Sequence, residues 1–126
     1  MFRSAGWVTL PDGRTRSAST AILYLLPAGA WSAWHRVRAD EVWHHYEGAP
    51  LRLHRLGLPE IRLDRSNPQG VVPAGVWQAA EPVGEFACGA CFVGPGFDFA
   101  DFVFLDADPE VRAALERIDP QLLRFG

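Results

Sequence analysis

The sequence of 126 residues contains no lysine, and all twelve of its basic side chains are arginines. Without a lysine amine the chain cannot form a Schiff base, attach pyridoxal phosphate or bind a nucleotide through a P-loop lysine. Enzymes that depend on a lysine base are excluded on the same ground. The formal net charge is -3 and no basic stripe is present, so nucleic acid is not expected as a partner.

Long hydrophobic runs are absent as well. No apolar segment approaches the roughly 20 residues that a membrane-spanning helix needs. Residues 1–4 lack the apolar core of a secretory signal peptide. We therefore expect no membrane partner and a cytoplasmic location.

Cysteine is scarce, with only Cys88 and Cys91, which are spaced as CxxC. This spacing occurs in redox motifs and in zinc sites. Here it lies in a strand-like run at residues 85–93, where side chains three positions apart point to opposite faces. No second CxxC is present to complete a zinc tetrahedron. We therefore predict two structural cysteines and no disulfide.

Aromatic and turn-forming residues are plentiful. The chain has five Trp and eight Phe, which suit a core or an apolar pocket, and twelve Gly and ten Pro. Turn signals such as Pro11-Asp12-Gly13 recur about every ten residues, a spacing typical of a β-sandwich or barrel. The length fits one domain, so we expect a single domain over residues 1–126.

The apolar runs between these turns predict short strands at residues 7–10, 19–26, 31–37, 41–46, 51–58, 60–64, 71–72, 77–80, 85–93 and 97–105. The tail is different, because Asp108 can cap a helix that has Pro109 at its first position. Helical spacing puts Val111, Leu115 and Ile118 on one face. The predicted fold class is therefore all-β with a short C-terminal helix.

Two segments carry the candidate chemistry: residues 34–48 read WHRVRADEVWHHYEG, and residues 70–78 read GVVPAGVWQ. They resemble the two motifs of the cupin superfamily (RmlC-like), which have the form HxHxxxExxxxxxG and a second motif that ends PxGxxH. The matching residues are His35, Glu41, Gly48, Pro73, Gly75 and Gln78. Val37 stands where the second motif histidine would be, and Gln78 stands where the third would be.

A closer resemblance covers most of the chain. Residues 16–22, 32–37, 40–44, 48–51, 68–78 and 95–102 are similar to the uncharacterised cupin-5 family. The resemblance implies a cupin-type double-stranded β-helix (jelly-roll) barrel with an internal pocket. It implies no reaction, because the family's activity is unsettled. Family members usually begin with a further segment containing HPEGG, and usually have Phe at the position of His45 and an acid at that of Val103.

The alternation of side chains along a strand puts Glu41, Trp43 and His45 on one face. If that face lines a small barrel, these side chains share an enclosed pocket with His35. A buried acid and a buried imidazole have the perturbed pKa values that acid–base catalysis uses. The candidate catalytic residues are His35, Glu41 and His45, and the candidate ligand-binding residues are Tyr24, Trp43, Trp77, Gln78 and Phe97.

These side chains also have structural interpretations. His35 can be a hydrogen-bonded core histidine, and the Trp residues can be core. Glu41 can form a buried ion pair with Arg36 or Arg16. Several other polar side chains are expected at turns or facing solvent, namely His44, His54, Asp98 and Asp101.

We expect no metal or other cofactor. If a divalent metal is present, its ligands are His35, Glu41 and Gln78. Gln is a poor ligand for zinc or iron, which weakens this alternative.

Three functions fit these residues. The leading hypothesis is a metal-independent isomerase, epimerase or lyase acting on a sugar-like or small polar metabolite, with His35 as base, Glu41 orienting it, and His45 or Tyr24 as acid. The second is a module that binds or senses a small metabolite without chemistry, and the third is a divalent-metal-dependent oxygenase. The resemblance also implies a homodimer, because the exposed sheet edges of such barrels favour pairing.

Overall fold

The computed structural model describes residues 1–126, most of which form antiparallel strands separated by turns. Gly29 and Gly75 end two of the predicted runs with a positive φ, a conformation that favours glycine. The twelve strands are β1 (Phe2–Arg3), β2 (Trp7–Thr9), β3 (Thr15–Ser17), β4 (Thr20–Pro27), β5 (Ser32–Arg36), β6 (Asp40–Gly48), β7 (Leu51–Arg55), β8 (Ile61–Leu63), β9 (Gln69–Val72), β10 (Gln78–Pro82), β11 (Phe86–Gly94) and β12 (Val103–Phe104).

The strands form two five-stranded sheets and one hairpin. The first sheet has the order β1-β4-β11-β6-β9, the second has the order β12-β5-β10-β7-β8, and β2 pairs with β3. From β4 to β12 the chain crosses repeatedly from one sheet to the other, which is how a jelly roll is wound. The predicted all-β class with a double-stranded β-helix and one C-terminal helix is confirmed.

The register between strands brings the two sequence motifs together. In the second sheet Gln78 lies opposite His35. In the first sheet Glu41 lies opposite Val72. Since side chains alternate along each strand, His35 and Gln78 from one sheet and Glu41 from the other all point into the space between the sheets.

Hydrophobic side chains form two cores on opposite sides of the second sheet. The first core lies between the sheets and comprises Trp43, Leu51, Leu53, Leu63, Val72, Ala80, Ala87 and Cys91. The second core lies beneath the C-terminal segment and comprises Trp34, Trp77, Ala79, Leu105, Leu115 and Phe125. Neighbouring residues of a strand face opposite ways, so Trp34 joins the second core while His35 faces the barrel interior.

The C-terminal helix α1 (Pro109–Ile118) begins as predicted, because Asp108 accepts a hydrogen bond from the backbone N–H of Val111 at 3.2 Å. Leu115 is fully buried, whereas Ile118, which the helical spacing puts on the same face, is 64% exposed. The helix ends at this residue, and the following 3₁₀ segment brings Phe125 into the second core instead. None of the helices has both the length and the apolar character needed to span a lipid bilayer.

The predicted strand at residues 97–105 is wrong for most of its length. Only β12 pairs with a neighbour, and 3₁₀ turns form at Phe99–Asp101 and Leu105–Ala107. The carboxylate of Asp98 accepts a hydrogen bond from the backbone N–H of Ala100 at 2.8 Å, which starts the first turn. Such a local bond competes with strand pairing.

The expectation that His54 faces solvent is also wrong. Its ring centre lies 5.1 Å from that of Phe125 and 6.3 Å from that of Trp34, so the C-terminal segment covers it. Burial lowers the pKa of His54, and the carboxylates of Glu60 and Glu81 partly offset that effect.

Candidate functional site

A cavity of about 490 Å³, a size typical of small-molecule sites, lies between the two sheets and opens to solvent beside Met1, Phe99 and Phe104. Seventeen residues line it, and 13 of them are hydrophobic. Six of the lining residues are aromatic: Tyr24, Trp43, Phe97, Phe99, Phe102 and Phe104. The polar lining residues are Thr20, Ser32, His35 and Glu41.

His35 presents one ring nitrogen to this cavity. Its Nδ1 lies 2.7 Å from the carbonyl oxygen of Ala33. A carbonyl only accepts, so Nδ1 carries the proton of the neutral ring and Nε2 carries the free lone pair. That Nε2 lies 4.0 Å from Oε1 of Glu41, and the ring stacks on Phe102 at 5.0 Å between centres. The imidazole is therefore fixed in both tautomer and orientation.

Glu41 is held by a chain of hydrogen bonds that runs from Trp43 on its own strand through Gln78 of the opposite sheet. The indole Nε1 of Trp43 donates to Oε1 of Gln78 at 2.8 Å, and Nε2 of Gln78 donates to Oε1 of Glu41 at 2.7 Å. An indole N–H can only donate, so the amide oxygen must face Trp43 and the amide nitrogen must face Glu41. Gln78 thus supports the site from behind the cavity wall.

Burial moves the two titratable groups in opposite directions. Desolvation lowers the pKa of His35, an effect that its bond to Ala33 partly offsets. Desolvation raises the pKa of Glu41, and the hydrogen bond from Gln78 and the nearby thiol of Cys91 partly offset that rise. Both shifts favour the uncharged forms. A neutral imidazole base, His35, and a weak carboxylic acid, Glu41, therefore lie side by side in the cavity lining.

The phenol of Tyr24 already donates a hydrogen bond to the protein backbone. Its ring lines the cavity at 5.2 Å from that of Trp43, but its hydroxyl donates to the backbone carbonyl of His44 at 3.1 Å. Burial raises its pKa further. These contacts favour Tyr24 as an aromatic wall over the acid role that the sequence predicts as one alternative.

Three of the predicted site residues do not line the cavity: Gln78, which lies behind its wall, His45 and Trp77. His45 shares the inward face of β6, but it lies nearer the end of that strand, where its Nε2 contacts the carbonyl oxygen of Ala49 at 2.8 Å. Trp77 belongs to the second core, beneath the guanidinium of Arg36 at 5.3 Å. Alternation along a strand fixes the face of His45 and not its depth in the barrel, whereas Trp77 precedes the inward-facing Gln78 and therefore faces the second core.

The expected alternative of a buried ion pair at Glu41 is also wrong. Arg16 instead pairs with Asp101, whose Oδ2 accepts from Nε of Arg16 at 3.0 Å. Asp101 is therefore not the surface acid that the sequence suggests. This ion pair holds the segment that carries Phe102 against the barrel.

Sequence reasoning missed several lining residues. Cys91 is free and buried beside Glu41, whereas Cys88 is free on the opposite face, as their spacing predicts. The lining also includes Phe99, Phe102 and Phe104 in addition to the predicted Phe97. Their signal is the density of Phe after position 96, which the expectation of a regular strand obscured.

The side chains do not fit a transition-metal site. No three histidine, cysteine, aspartate or glutamate side chains converge in the structure in a way that could hold a metal ion. Gln78 could supply only its amide oxygen, which already accepts the indole N–H of Trp43. That leaves His35 and Glu41, fewer protein ligands than such sites use.

The two facing sheets and the cavity between them define a cupin barrel. The chain belongs to the Cupin_5 family, described as Cupin superfamily (DUF985), whose model matches residues 1–105. No curated protein matches the chain significantly.

Solved structures agree with this assignment. A hypothetical protein from Leishmania major is 26% identical, covers 98% of this chain and 82% of its own, and superposes with a TM-score of 0.78. A Shewanella oneidensis protein is 28% identical over 98% of this chain and 78% of its own, with a TM-score of 0.74. A DMSP lyase from Ruegeria pomeroyi is 19% identical over 84% of this chain and 53% of its own, with a TM-score of 0.61, a likeness of fold alone.

Proposed function

We propose that the chain binds a small organic molecule between its sheets and moves a proton on it without a metal, as an isomerase, epimerase or lyase. His35 is the general base and Glu41 is its partner. The observation that carries this proposal is the 4.0 Å separation between Nε2 of His35 and Oε1 of Glu41 at the wall of a largely apolar cavity.

The protonation states support a proton transfer. The neutral ring of His35 keeps its lone pair on Nε2, because Ala33 holds the proton on Nδ1. Burial holds Glu41 towards its protonated form, which donates a hydrogen bond to an oxygen that becomes negative during the reaction. A ligand C–H placed beside Nε2 then loses its proton to His35, and its carbonyl oxygen is stabilised by Glu41.

The lining indicates which ligands fit. The hydrophobic character of 13 of the 17 lining residues matches a molecule with an apolar body and one polar end. A sugar presents hydroxyl groups on every side, and these would lose their hydrogen bonds to water without replacement here. The cavity therefore supports a less polar ligand than the sugar-like molecule that the sequence predicts.

The same apolar lining favours a second candidate, a module that binds a small metabolite and leaves it unchanged. That function needs only the cavity and one polar anchor. A divalent-metal oxygenase gains no support, because Gln78 is turned away from the ligand set by its bonds to Trp43 and Glu41.

We also propose that two copies pair, as the family resemblance implies. The outer face of the first sheet carries exposed apolar side chains, namely Leu23, Leu25, Tyr46, Val71 and Phe92. Strand β1 covers β4 only at Thr20 and Ala21, so the rest of β4 has a free edge. A free edge and an apolar patch both favour association.

Solvent deuterium exchange tests the proton transfer. The protein is incubated in D₂O with a panel of apolar ketones, aldehydes and esters, and loss of the α-proton signal is followed by NMR. We expect exchange above the buffer rate, with a loss of at least about 100-fold in His35→Gln, the range typical of a removed general base. His44→Gln is the matched control, because His44 lies on β6 with its side chain on the face of the first sheet that points away from the cavity.

Equal rates in His35→Gln and wild type, or no exchange with any panel member, overturn the proton transfer. Native mass spectrometry of the same preparation then tests the second candidate, binding without chemistry, by detecting a bound small molecule. A co-purified molecule that the protein binds and releases chemically unchanged supports binding without chemistry.

A further inference from the structure

We infer that the cavity takes a compact organic cation without N–H donors, a quaternary ammonium or sulfonium group on an otherwise apolar molecule. The inference names the ligand class of the site under Proposed function and so rests on that site being a ligand cavity. It does not depend on the proton transfer assigned to His35.

The first argument is charge. Glu41 is the one carboxylate in the lining, and no arginine lines the cavity. The basic groups near it are engaged elsewhere: Arg16 pairs with Asp101, and Arg36 lies over Trp77. A carboxylate or phosphate ligand would meet no arginine side chain here and would face Glu41, whereas a cation meets a carboxyl group that can serve as its counter-ion.

The second argument is the arrangement of the six aromatic rings. Tyr24 and Trp43 are inclined at 52°, and Phe102 lies at 76° to Phe97 and 79° to Phe104. Rings at such angles form walls that face different directions around one volume. The negative π faces of such walls attract a cation, and aromatic cages of this kind recognise methylated cations.

The third argument is the small number of free hydrogen-bonding atoms. The hydroxyl of Tyr24 donates to the His44 carbonyl, and Oγ1 of Thr20 accepts from the backbone N–H of Phe97 at 2.9 Å. A primary ammonium needs three acceptors, and apart from Glu41 the lining leaves only Nε2 of His35 and the hydroxyl of Ser32 to supply them. A methylated cation needs none, so it loses less on leaving water.

Entry of a cation also changes protonation. The titratable groups that face Glu41 are His35 from β5 and Cys91 from β11. A cation beside them favours the ionised form of Glu41, whose pKa burial raises in the free protein. Binding is therefore expected to release a proton and to tighten as the pH rises.

A pair of isosteric probes tests the inference. Choline and its uncharged carbon analogue 3,3-dimethylbutan-1-ol have the same shape, so calorimetric titration with each isolates the contribution of charge. We expect choline to bind at least about 10-fold more tightly, as a cation in a desolvated aromatic site does. Glu41→Gln and Phe102→Leu should each abolish the preference while binding of the alcohol persists.

Glu47→Gln is the matched control, because Glu47 lies exposed near the end of the same strand. It should leave both affinities unchanged. Equal or tighter binding of the alcohol overturns the cation inference and leaves the cavity as a ligand site. Binding of neither probe at millimolar concentration overturns it too, whereas failure of the proton transfer is recorded separately by the deuterium exchange of His35→Gln.

Discussion

Gln78 positions Glu41 by a hydrogen bond although it does not line the cavity. The cupin motif that the sequence resembles has a histidine at this position. Here the amide accepts from Trp43 on one side and donates to Glu41 on the other, which fixes the rotamers of both. A side chain with one donor end and one acceptor end is suited to that bridge, so this position links the two sheets.

Replacement of Glu41 by Gln is expected to stabilise the protein, increasingly so at higher pH. The unfolded carboxyl loses its proton near its ordinary pKa of 4.5, whereas burial raises the pKa in the fold. Between those two pKa values the unfolded chain binds fewer protons, so the free energy of unfolding falls as the pH rises. The amide introduced by Glu41→Gln keeps an oxygen for Gln78 and does not ionise, which removes this loss.

We expect Glu41→Gln to raise the free energy of unfolding by roughly 1 kcal/mol at pH 8, as removal of a strained functional group often does, and by much less at pH 5. Urea denaturation at both pH values measures the difference. The term from His35, whose lowered pKa costs stability below about pH 6.5, is present in both proteins and cancels. A Glu41→Gln variant less stable than wild type at pH 8 contradicts the assignment, and Glu47→Gln should show no such trend.

The residues that carry the site were readable from the sequence to different degrees. His35 and Glu41 follow from the spacing of the first motif, and alternation correctly put Trp43 beside Glu41. His45 has the same parity, but it lies past the cavity and bonds Ala49. Trp77 precedes an inward-facing residue and therefore faces the second core, whose existence depends on the C-terminal segment folding back. Depth and layering are set by the packing of distant elements, which local spacing does not encode.

At the scale of elements, the contact between β6 and β11 shapes the cavity wall. Cys88 and Gly89 of β11 lie opposite Glu47 and His45 of β6, so Tyr46 is the extra residue of a β-bulge in β6. At Gly89 the backbone lies so near the carbonyl of His44 that there is no room for a Cβ, and the hydroxyl of Tyr24 lies 2.7 Å from that Cβ position. The glycine thus permits the bond between Tyr24 and His44 that holds an aromatic wall in place.

Gly89→Ala is expected to destabilise the protein by at least about 2 kcal/mol, because the added methyl group forces backbone movement in two central strands. Gly6→Ala is the control, since its nearest neighbour is 3.9 Å away, an ordinary contact. That variant should stay within about 0.5 kcal/mol of wild type. Urea denaturation of both variants gives the comparison. If Gly6→Ala is obtained folded and Gly89→Ala is not, the prediction is also confirmed. A Gly89→Ala variant as stable as Gly6→Ala would falsify the account of this wall.

Element types were mostly predictable, but the short strands β1 and β3 were not predicted and residues 97–105 were predicted wrongly. The strands recur where turn residues separate apolar runs, and the cap at Asp108 correctly marks the start of α1. At residues 97–105 the apolar content also predicts a strand. The carboxylate of Asp98 instead bonds the backbone of Ala100, and the ion pair between Arg16 and Asp101 secures the resulting turn. Nothing in the local pattern identifies Arg16, 85 residues earlier, as that partner.

At the scale of the whole molecule, the two cores lie in different surroundings. The first core lies between the sheets beside the cavity, and the second lies under the C-terminal segment. The second sheet packs against the C-terminal segment on its outer side, which buries Leu115 and Phe125. The first sheet has no such cover, and its outer face exposes Leu23 and Leu25 at 81% and 65%. The inner side of the same β4 strand contributes Tyr24 to the cavity. Any partner that covers this face therefore contacts a strand that forms part of the cavity wall.

A second copy of the chain is the partner we propose, and its removal is testable. Wild-type protein at micromolar concentration should sediment with twice the chain mass of 13.9 kDa. The double variant Leu23→Arg, Leu25→Arg should sediment as a monomer with an unchanged circular dichroism spectrum, because four arginines would face one another across a two-fold interface. Ile118→Arg, which adds a charge at an exposed apolar position of the helix, is the control and should remain dimeric. A monomeric wild type, or a double variant that still sediments as a dimer, shows that this face is not the interface.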